Sequence, residues 1–321
     1  MIIFSCIIHL IFLWGRVMFR SFFKNTKFFV LFVLPVLVCA AGVLCYPKQP
    51  VHIFMICDEK YAPYTATAIQ SIEKNKSFFT KNYFYIAVPD DVEKVKLYFN
   101  ENLTKNITFI SIAEFFKDKY SETFLNAYNT RFFAPELFPD LDKILYLDSD
   151  ILVFKDLSAL YEQDIQNVYA GVVSDYPTSV TRRKDVLGLK TYFNAGVMVL
   201  NLKKMRQDKI LEKLIQNYVF LDKENKLFWA DQDVLNYTFK DHVKFLSEKY
   251  NQQGIALTED KALNMHILHY TSYKPWGNKM VPFFMEYWDI FKKTHLSHYR
   301  QTQDKTVFDK HYIKVNEYLG K

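Results

Sequence analysis

From Val51 onward the chain alternates short apolar runs with segments of helical periodicity. The run Val51–Cys57 stops at Asp58, and Tyr64–Lys74 follows with Ala68, Ile69 and Ile72 at helical spacing. Strands are predicted over Tyr83–Val88 and Ile107–Ile112, with a helix over Asp90–Asn100 that Asp90 or Asp91 opens as N-cap. Thr123–Leu137 reads as a helix that contains Arg131 and that Pro135 kinks or stops in its last turn. Tyr169–Val173 is a strand reaching Asp175, and Arg182–Lys184 with its polar neighbours reads as a mobile loop. Phe193–Leu202 is a strand entered through Asn194-Ala195-Gly196, small residues that let a ligand approach the backbone. Lys203–Leu221 is an amphipathic helix, Trp229–Asp233 opens a helix over Val234–Phe239, and His266–His269 is a late strand. This alternation implies an α/β fold with helical crossovers, whose ligands sit at the carboxyl ends of the strands.

One stretch organises the rest, Lys143–Leu157. The apolar run Ile144–Leu147 delivers two carboxylates, Asp148 and Asp150, and the apolar pattern resumes at Ile151–Phe154. Residues i and i+2 of an extended segment face the same way, so both carboxylates converge on one cation. Hard oxygen ligands suit Mg²⁺ or Mn²⁺ and leave coordination positions for phosphate oxygens. A bare D-x-D is common by chance; the buried strand in front of it raises the signal.

Composition changes this picture little. Of 321 residues half are apolar, 17% are aromatic and only 8 are glycine, a globular composition without a disordered tail. The formal charge of +6 is mild, and the scattered cations with no helix-turn-helix or zinc-finger spacing argue against a nucleic-acid partner. The four cysteines, Cys6, Cys39, Cys45 and Cys57, give neither a disulfide framework nor a zinc pattern.

The first 27 residues are basic and apolar, and Phe28–Tyr46 is an uncharged stretch of membrane-spanning length that reads as a transmembrane signal-anchor. A cleaved signal peptide is the alternative, with Ala40, Ala41 and Gly42 as the cleavage region. Charge bias places the following domain outside the cytoplasm. The segment 277–321 is aromatic and basic, expected to pack on the core rather than to rest on lipid.

The motifs over residues 51–276, in this order, resemble the retaining glycosyltransferases of family 8, the lipopolysaccharide hexosyltransferases and glycogenin among them. The resemblance implies a GT-A fold, a mixed and mainly parallel sheet flanked by helices, using a UDP-sugar and Mn²⁺, with Mg²⁺ as the other choice. It implies metal ligation by Asp148, Asp150 and His269, with Ser149 near the ribose. Ile56, Asp58 and Tyr61 match the uridine pocket, and Arg131 matches a donor-binding arginine. Asp175, Asn194, Ala195, Asp231 and Gln232 match residues around the transferred sugar, and Lys274 the lysine on the β-phosphate. Gln232 is the implied nucleophile or cation-stabilising dipole, and Asp231 holds sugar hydroxyls. Relatives commonly read H-x-x-G-x-x-K-P-W; this chain reads His269-Tyr-Thr-Ser-Tyr-Lys-Pro-Trp276, one residue shorter and with Ser272 in place of glycine.

The expected function is therefore transfer of galactose or glucose from a UDP-hexose to a glycan or glycolipid acceptor, foremost a lipopolysaccharide or lipooligosaccharide core. The expected location is the bacterial inner membrane, through Phe28–Tyr46. A Golgi-type hexosyltransferase is the alternative, permitted by sequons at Asn75, Asn102, Asn106 and Asn236. A non-catalytic membrane-anchored sugar-nucleotide-binding protein and a sugar-nucleotide hydrolase or pyrophosphorylase are further readings. The pyrophosphorylase reading lacks a glycine-rich loop after the first strand.

Overall fold

The apolar run after Pro50 becomes strand β1 (Val51–Ile56), with four of its six residues buried and the other two partly so, as expected of a strand covered on both faces. In this computed structural model β1 lies between β2 (Asn82–Val88) and β4 (Ile144–Leu147), parallel to both. Strand β3 (Ile107–Ser111) continues the sheet beyond β2, again parallel. On the other side β7 (Phe193–Leu200) runs antiparallel to β4, β6 (Ala170–Ser174) antiparallel to β7, and β8 (Val243–Phe245) parallel to β6. The order is β3-β2-β1-β4-β7-β6-β8, a mixed and mainly parallel sheet as predicted. A smaller sheet is built from β5 (Ile151–Val153), β9 (Gln252–Gln253) and β10 (Ile267–His269), with β10 in the middle.

Side chains alternate across the large sheet and feed a core on each face. Phe54, Tyr146 and Met198 pack under the helices Ile210–Lys223 and Ala230–Phe239. Ile53, Met55, Leu145 and Leu147 pack under the helix Ala62–Asn75. The helix Phe284–Thr302 then covers Ala62–Asn75 through Tyr287, Trp288 and Phe291, which join Tyr64 and Tyr270 in a third apolar cluster. The first part of the aromatic C-terminal segment thus packs on the core, as expected.

The backbone is described for residues 49–302 except 90, 100–104, 118, 120–128 and 278, and side chains as far as Thr294. The segment 1–27, the Phe28–Tyr46 span and residues 303–321 lie outside the described residues. Among the described residues no helix is long and apolar enough to cross a membrane.

Four elements differ from their sequence reading. Of the helix predicted over Thr123–Leu137, residues 123–128 lie outside the described residues; Arg131 sits in a 3₁₀ turn, Asn129–Phe133, and Pro135 lies in the first turn of the short helix Ala134–Leu137. Its missing N–H costs nothing in a first turn. Arg182–Lys184 is not a loop but part of the helix Pro177–Leu187, begun by a proline and closed by Gly188 at φ 64°. The helix predicted over Lys203–Leu221 breaks into Leu202–Gln207 and Ile210–Lys223, because Lys209 adopts φ 52° while Asp208 accepts from Tyr169 and Lys204. The helix after β2 is only Val92–Lys96, capped by Asp91 through the N–H groups of Glu93 and Lys94.

Candidate active site

The buried strand β4 ends at Leu147, and the Asp148 N–H donates to the carbonyl of Gly196 on β7 at 2.8 Å. The chain then turns through Ser149 and Asp150 into β5. Strand β10 pairs antiparallel with β5 so that His269 stands opposite Ile151, and the Tyr270 N–H donates to the Asp150 carbonyl at 2.9 Å. This register brings a residue from far down the chain onto the acidic turn. His269 Nε2 lies 3.3 Å from Asp150 Oδ1 and 3.7 Å from Asp148 Oδ2. One ligand atom from each of the three falls within 4.8 Å of the others. His269 and Asp150 are buried, and Asp148 is partly so.

Gly196 makes the convergence possible. A Cβ there would lie 2.2 Å from His269 Cε1 and 2.6 Å from Asp148 Oδ2, so the glycine leaves the space that ring and carboxylate occupy. The donor set of two carboxylates and one imidazole fits a divalent cation.

Positive charge is arranged around the acids. Arg131 is buried, its guanidinium 3.3 Å from Asp148 Oδ1 and 3.0 Å from Asp231 Oδ2, donating to the Ala195 carbonyl at 3.1 Å. It also lies over the Tyr146 ring, whose hydroxyl donates to Asp148 Oδ1 at 2.7 Å. Burial would lower the arginine's proton affinity, but Asp231, Tyr146 and the paired aspartates more than offset it. Lys274 donates to Asp150 Oδ2 and to the Tyr270 carbonyl, so the motif shortened by one residue still brings its lysine to the acidic turn. Burial alone would raise the Asp150 carboxyl, yet His269 and Lys274 hold it well below the usual carboxylate range. Burial pushes Asp231 up to about 6, with Arg131 acting against the rise.

Two cavities open on this turn. The smaller, of about 250 Å³, is lined by Ile56, Asp58, Tyr61, Arg131, Ser149 and Lys274 among others. Ser149 donates to the Ile56 carbonyl at 3.3 Å, and the Asp58 carboxylate accepts from the Tyr61 N–H at 2.7 Å, which fixes the turn before the helix Ala62–Asn75. The larger, of about 590 Å³, collects Asp175, Asn194, Ala195, Asp231, Gln232 and Ser272. Gln232 is held at both ends: its Oε1 accepts from the Ala195 N–H at 2.9 Å, and its Nε2 donates to Asp175 Oδ2 at 3.0 Å. All the site residues expected from the sequence therefore line the two cavities around Asp148 and Asp150.

The model of glycosyl transferase family 8 matches residues 52–280. The chain belongs to this family. The family 8 chain is 32% identical over 166 residues to the lipopolysaccharide 1,2-glucosyltransferase of Escherichia coli, covering 47% of this chain and 48% of the relative. It is 34% identical over 173 residues to the glycosyltransferase GlyE of Streptococcus pneumoniae, covering 49% and 39%. The chain thus spans less than half the length of these two relatives. Among solved structures it resembles the galactosyltransferase LgtC in complex with donor and acceptor sugar analogs. That likeness has a TM-score of 0.63 at 23% identity and covers 76% of this chain and 96% of LgtC, which establishes a GT-A-like mixed α/β fold.

Sequence reasoning missed several residues that hold the family 8 site together. Tyr146 was read only as part of an apolar run, although the alternation along β4 places it two residues before Asp148 on the same side. Asp233, read as a helix-opening acid, is fully buried. It accepts from Arg183, from the Tyr192 hydroxyl and from the N–H groups of Phe228 and Trp229. Asn251 next to His269 carried no signal in the sequence at all.

Proposed function

We propose that this family 8 chain transfers galactose or glucose from a UDP-sugar to a glycan acceptor, with retention at the anomeric carbon. The observation that supports this most is the meeting of Asp148, Asp150 and His269 between the two cavities. These three would hold the divalent ion, Mn²⁺ ahead of Mg²⁺, which when bound supplies Lewis-acid neutralisation of the departing diphosphate. The smaller cavity takes the nucleotide, with Asp58 on the uracil edge, Tyr61 stacked on the base and the Ser149 hydroxyl near the ribose. Lys274 is within reach of the acidic turn and, once drawn onto the β-phosphate, adds its charge to the leaving group.

The larger cavity takes the hexose. Asp175, Asn194, Ala195 and Asp231 surround it, and Arg131 braces Asp231. Gln232, held by Ala195 and Asp175, presents its amide toward the developing positive charge. The acceptor hydroxyl attacks from the face the diphosphate leaves, and that phosphate takes its proton, so no separate strong base is needed. A glycosidase pair is a poor match, because hydrolases flank the sugar with two carboxylates and use no diphosphate-bound metal.

The name of the Escherichia coli lipopolysaccharide 1,2-glucosyltransferase supports a lipopolysaccharide-type glycan as acceptor, while an anchor in the bacterial inner membrane rests on the apolar sequence of Phe28–Tyr46 alone. The Golgi alternative loses two of its sequons. The Asn236 side chain is buried and donates to the carbonyls of Phe193 and Gln232, and the Asn75 amide donates to those of Ser71 and Val153.

Incubation with UDP-glucose, UDP-galactose and their N-acetyl forms plus Mn²⁺ tests the reading. Transfer to added lipooligosaccharide is expected; release of free sugar alone points to a hydrolase, and no turnover points to a binding protein. Asp150→Ala is expected to abolish transfer with the fold intact by circular dichroism. Unchanged activity in that variant removes the metal assignment. Protease accessibility in sealed vesicles tests the anchor.

A further inference from the structure

Asn251 lies just before β9, is 1% exposed, and lines neither of the two cavities. It stands between Asn194 and His269, and the hydrogen-bond directions along this row are forced from one end. The Gly196 backbone N–H can only donate, and it meets Asn194 Oδ1 at 3.0 Å, so that atom is the carbonyl oxygen of the side chain. An oxygen faces only a donor, which makes the Asn251 atom 2.9 Å from it the amide Nδ2. The other end of the Asn251 amide, Oδ1, then faces His269 Nδ1 at 2.9 Å and can only accept. Nδ1 therefore carries a proton. The charged ring that lowers the Asp150 carboxyl carries a proton on both nitrogens; in the neutral ring that receives a cation, the lone pair is on Nε2, the nitrogen turned toward Asp148 and Asp150.

We infer that Asn251 is a positioning residue of the metal centre, fixing His269 in the Nδ1–H tautomer that leaves Nε2 bare for a divalent cation. This rests on the metal reading of the same cluster. Reversing the Asn251 amide sets two oxygens against each other at Asn194. Reversing Asn194 as well sets its amide against the Gly196 N–H. The tautomer is thus anchored to the β7 backbone, and Gly196 acts twice: it clears the space for the ring and starts the chain that orients it. A merely packed asparagine would have its place in the core filled by leucine without consequence for the cation.

The test uses the full-length protein and Mn²⁺ alone, with free Mn²⁺ read by electron paramagnetic resonance. Asn251→Leu is expected to weaken Mn²⁺ binding roughly 10–100-fold, the usual effect of removing a partner of a metal-bound histidine. Asn251→Asp keeps an acceptor for Nδ1–H and is expected to lose less. Long-range ¹H–¹⁵N spectra, with the His269 signals assigned by His269→Gln, are expected to show Nδ1–H in the wild type and a tautomer mixture in Asn251→Leu. Equal Mn²⁺ affinity in wild type and Asn251→Leu, or an Nε2–H ring in the wild type, overturns the inference. Absence of Mn²⁺ binding by the wild type overturns the metal reading itself and any positioning role with it.

Discussion

At the scale of single residues, Gly196 decides whether the centre exists. Its hydrogen stands where a methyl would collide with both the imidazole of His269 and the carboxylate of Asp148. Because His269 is held in β10 by its pairing with β5 and the Asp148 N–H is bonded to Gly196 itself, Gly196→Ala is expected to weaken Mn²⁺ binding at least about tenfold, on the scale of lost ligand orientation. Isothermal titration of the folded variant checks this, and wild-type affinity would show that the cleft gives way. Asp231 makes a different kind of claim. Its folded value of about 6 lies above the ordinary 3.8, so between those pH values the folded chain keeps a proton that the unfolded chain releases. The contribution of this group to stability is present below 3.8 and is lost as pH rises through 6, on the order of 3 kcal/mol in all. Asp231→Asn removes that slope. Melting temperatures from pH 4 to pH 7 in chelator should therefore fall less steeply in the variant than in the wild type, and parallel curves would refute the raised value.

At the scale of elements, the helices Pro177–Leu187 and Ala230–Phe239 are tied by one buried ion pair. Arg183 donates to both oxygens of Asp233 at 2.9 and 2.8 Å, in a place where neither charge meets water. Arg183→Leu leaves the carboxylate buried without its cation and is expected to cost about 3–5 kcal/mol. Urea unfolding measures it, and a loss below 1 kcal/mol would mean that the pair is not holding the helices.

The same region shows what the sequence could and could not say. Pro177 and Gly188 bracket a helix in the way helices are commonly bracketed, so its existence was legible, although the polar residues between them give the composition of a loop. Asp233 was legible as a helix-opening acid but not as a buried one, since its partner Arg183 lies 50 positions earlier in the chain. The break at Lys209 is marked by no proline or glycine; Lys209 adopts φ 52° there, and the neighbouring Asp208 accepts from the hydroxyl of Tyr169, 39 positions earlier in the chain. Strands β1, β4 and β7 were legible because their apolar runs are nearly continuous. The placement of β7 antiparallel between β4 and β6 was not, since register depends on pairings between distant segments.

At the scale of the whole molecule, two sheets meet at the acidic turn. The large sheet ends there with Asp148, and the small one begins there with Ile151 and returns with His269. The loop after β10 is fastened to the helix Ala62–Asn75 by Trp276, whose ring stacks on Tyr64 at 3.6 Å and an interplanar angle of 5°. The helix Phe284–Thr302 clamps the same corner through Tyr287 and Phe291. The site is thus carried by packed elements rather than by free loops, which is what preorganised charge requires. The central claim is that Asp148, Asp150 and His269 share one ion. Crystals of the full-length protein grown with UDP and Mn²⁺ test it through anomalous scattering at the manganese edge. A single peak in direct coordination with all three side chains is expected, and a peak elsewhere, or one that His269 does not touch, would contradict the account.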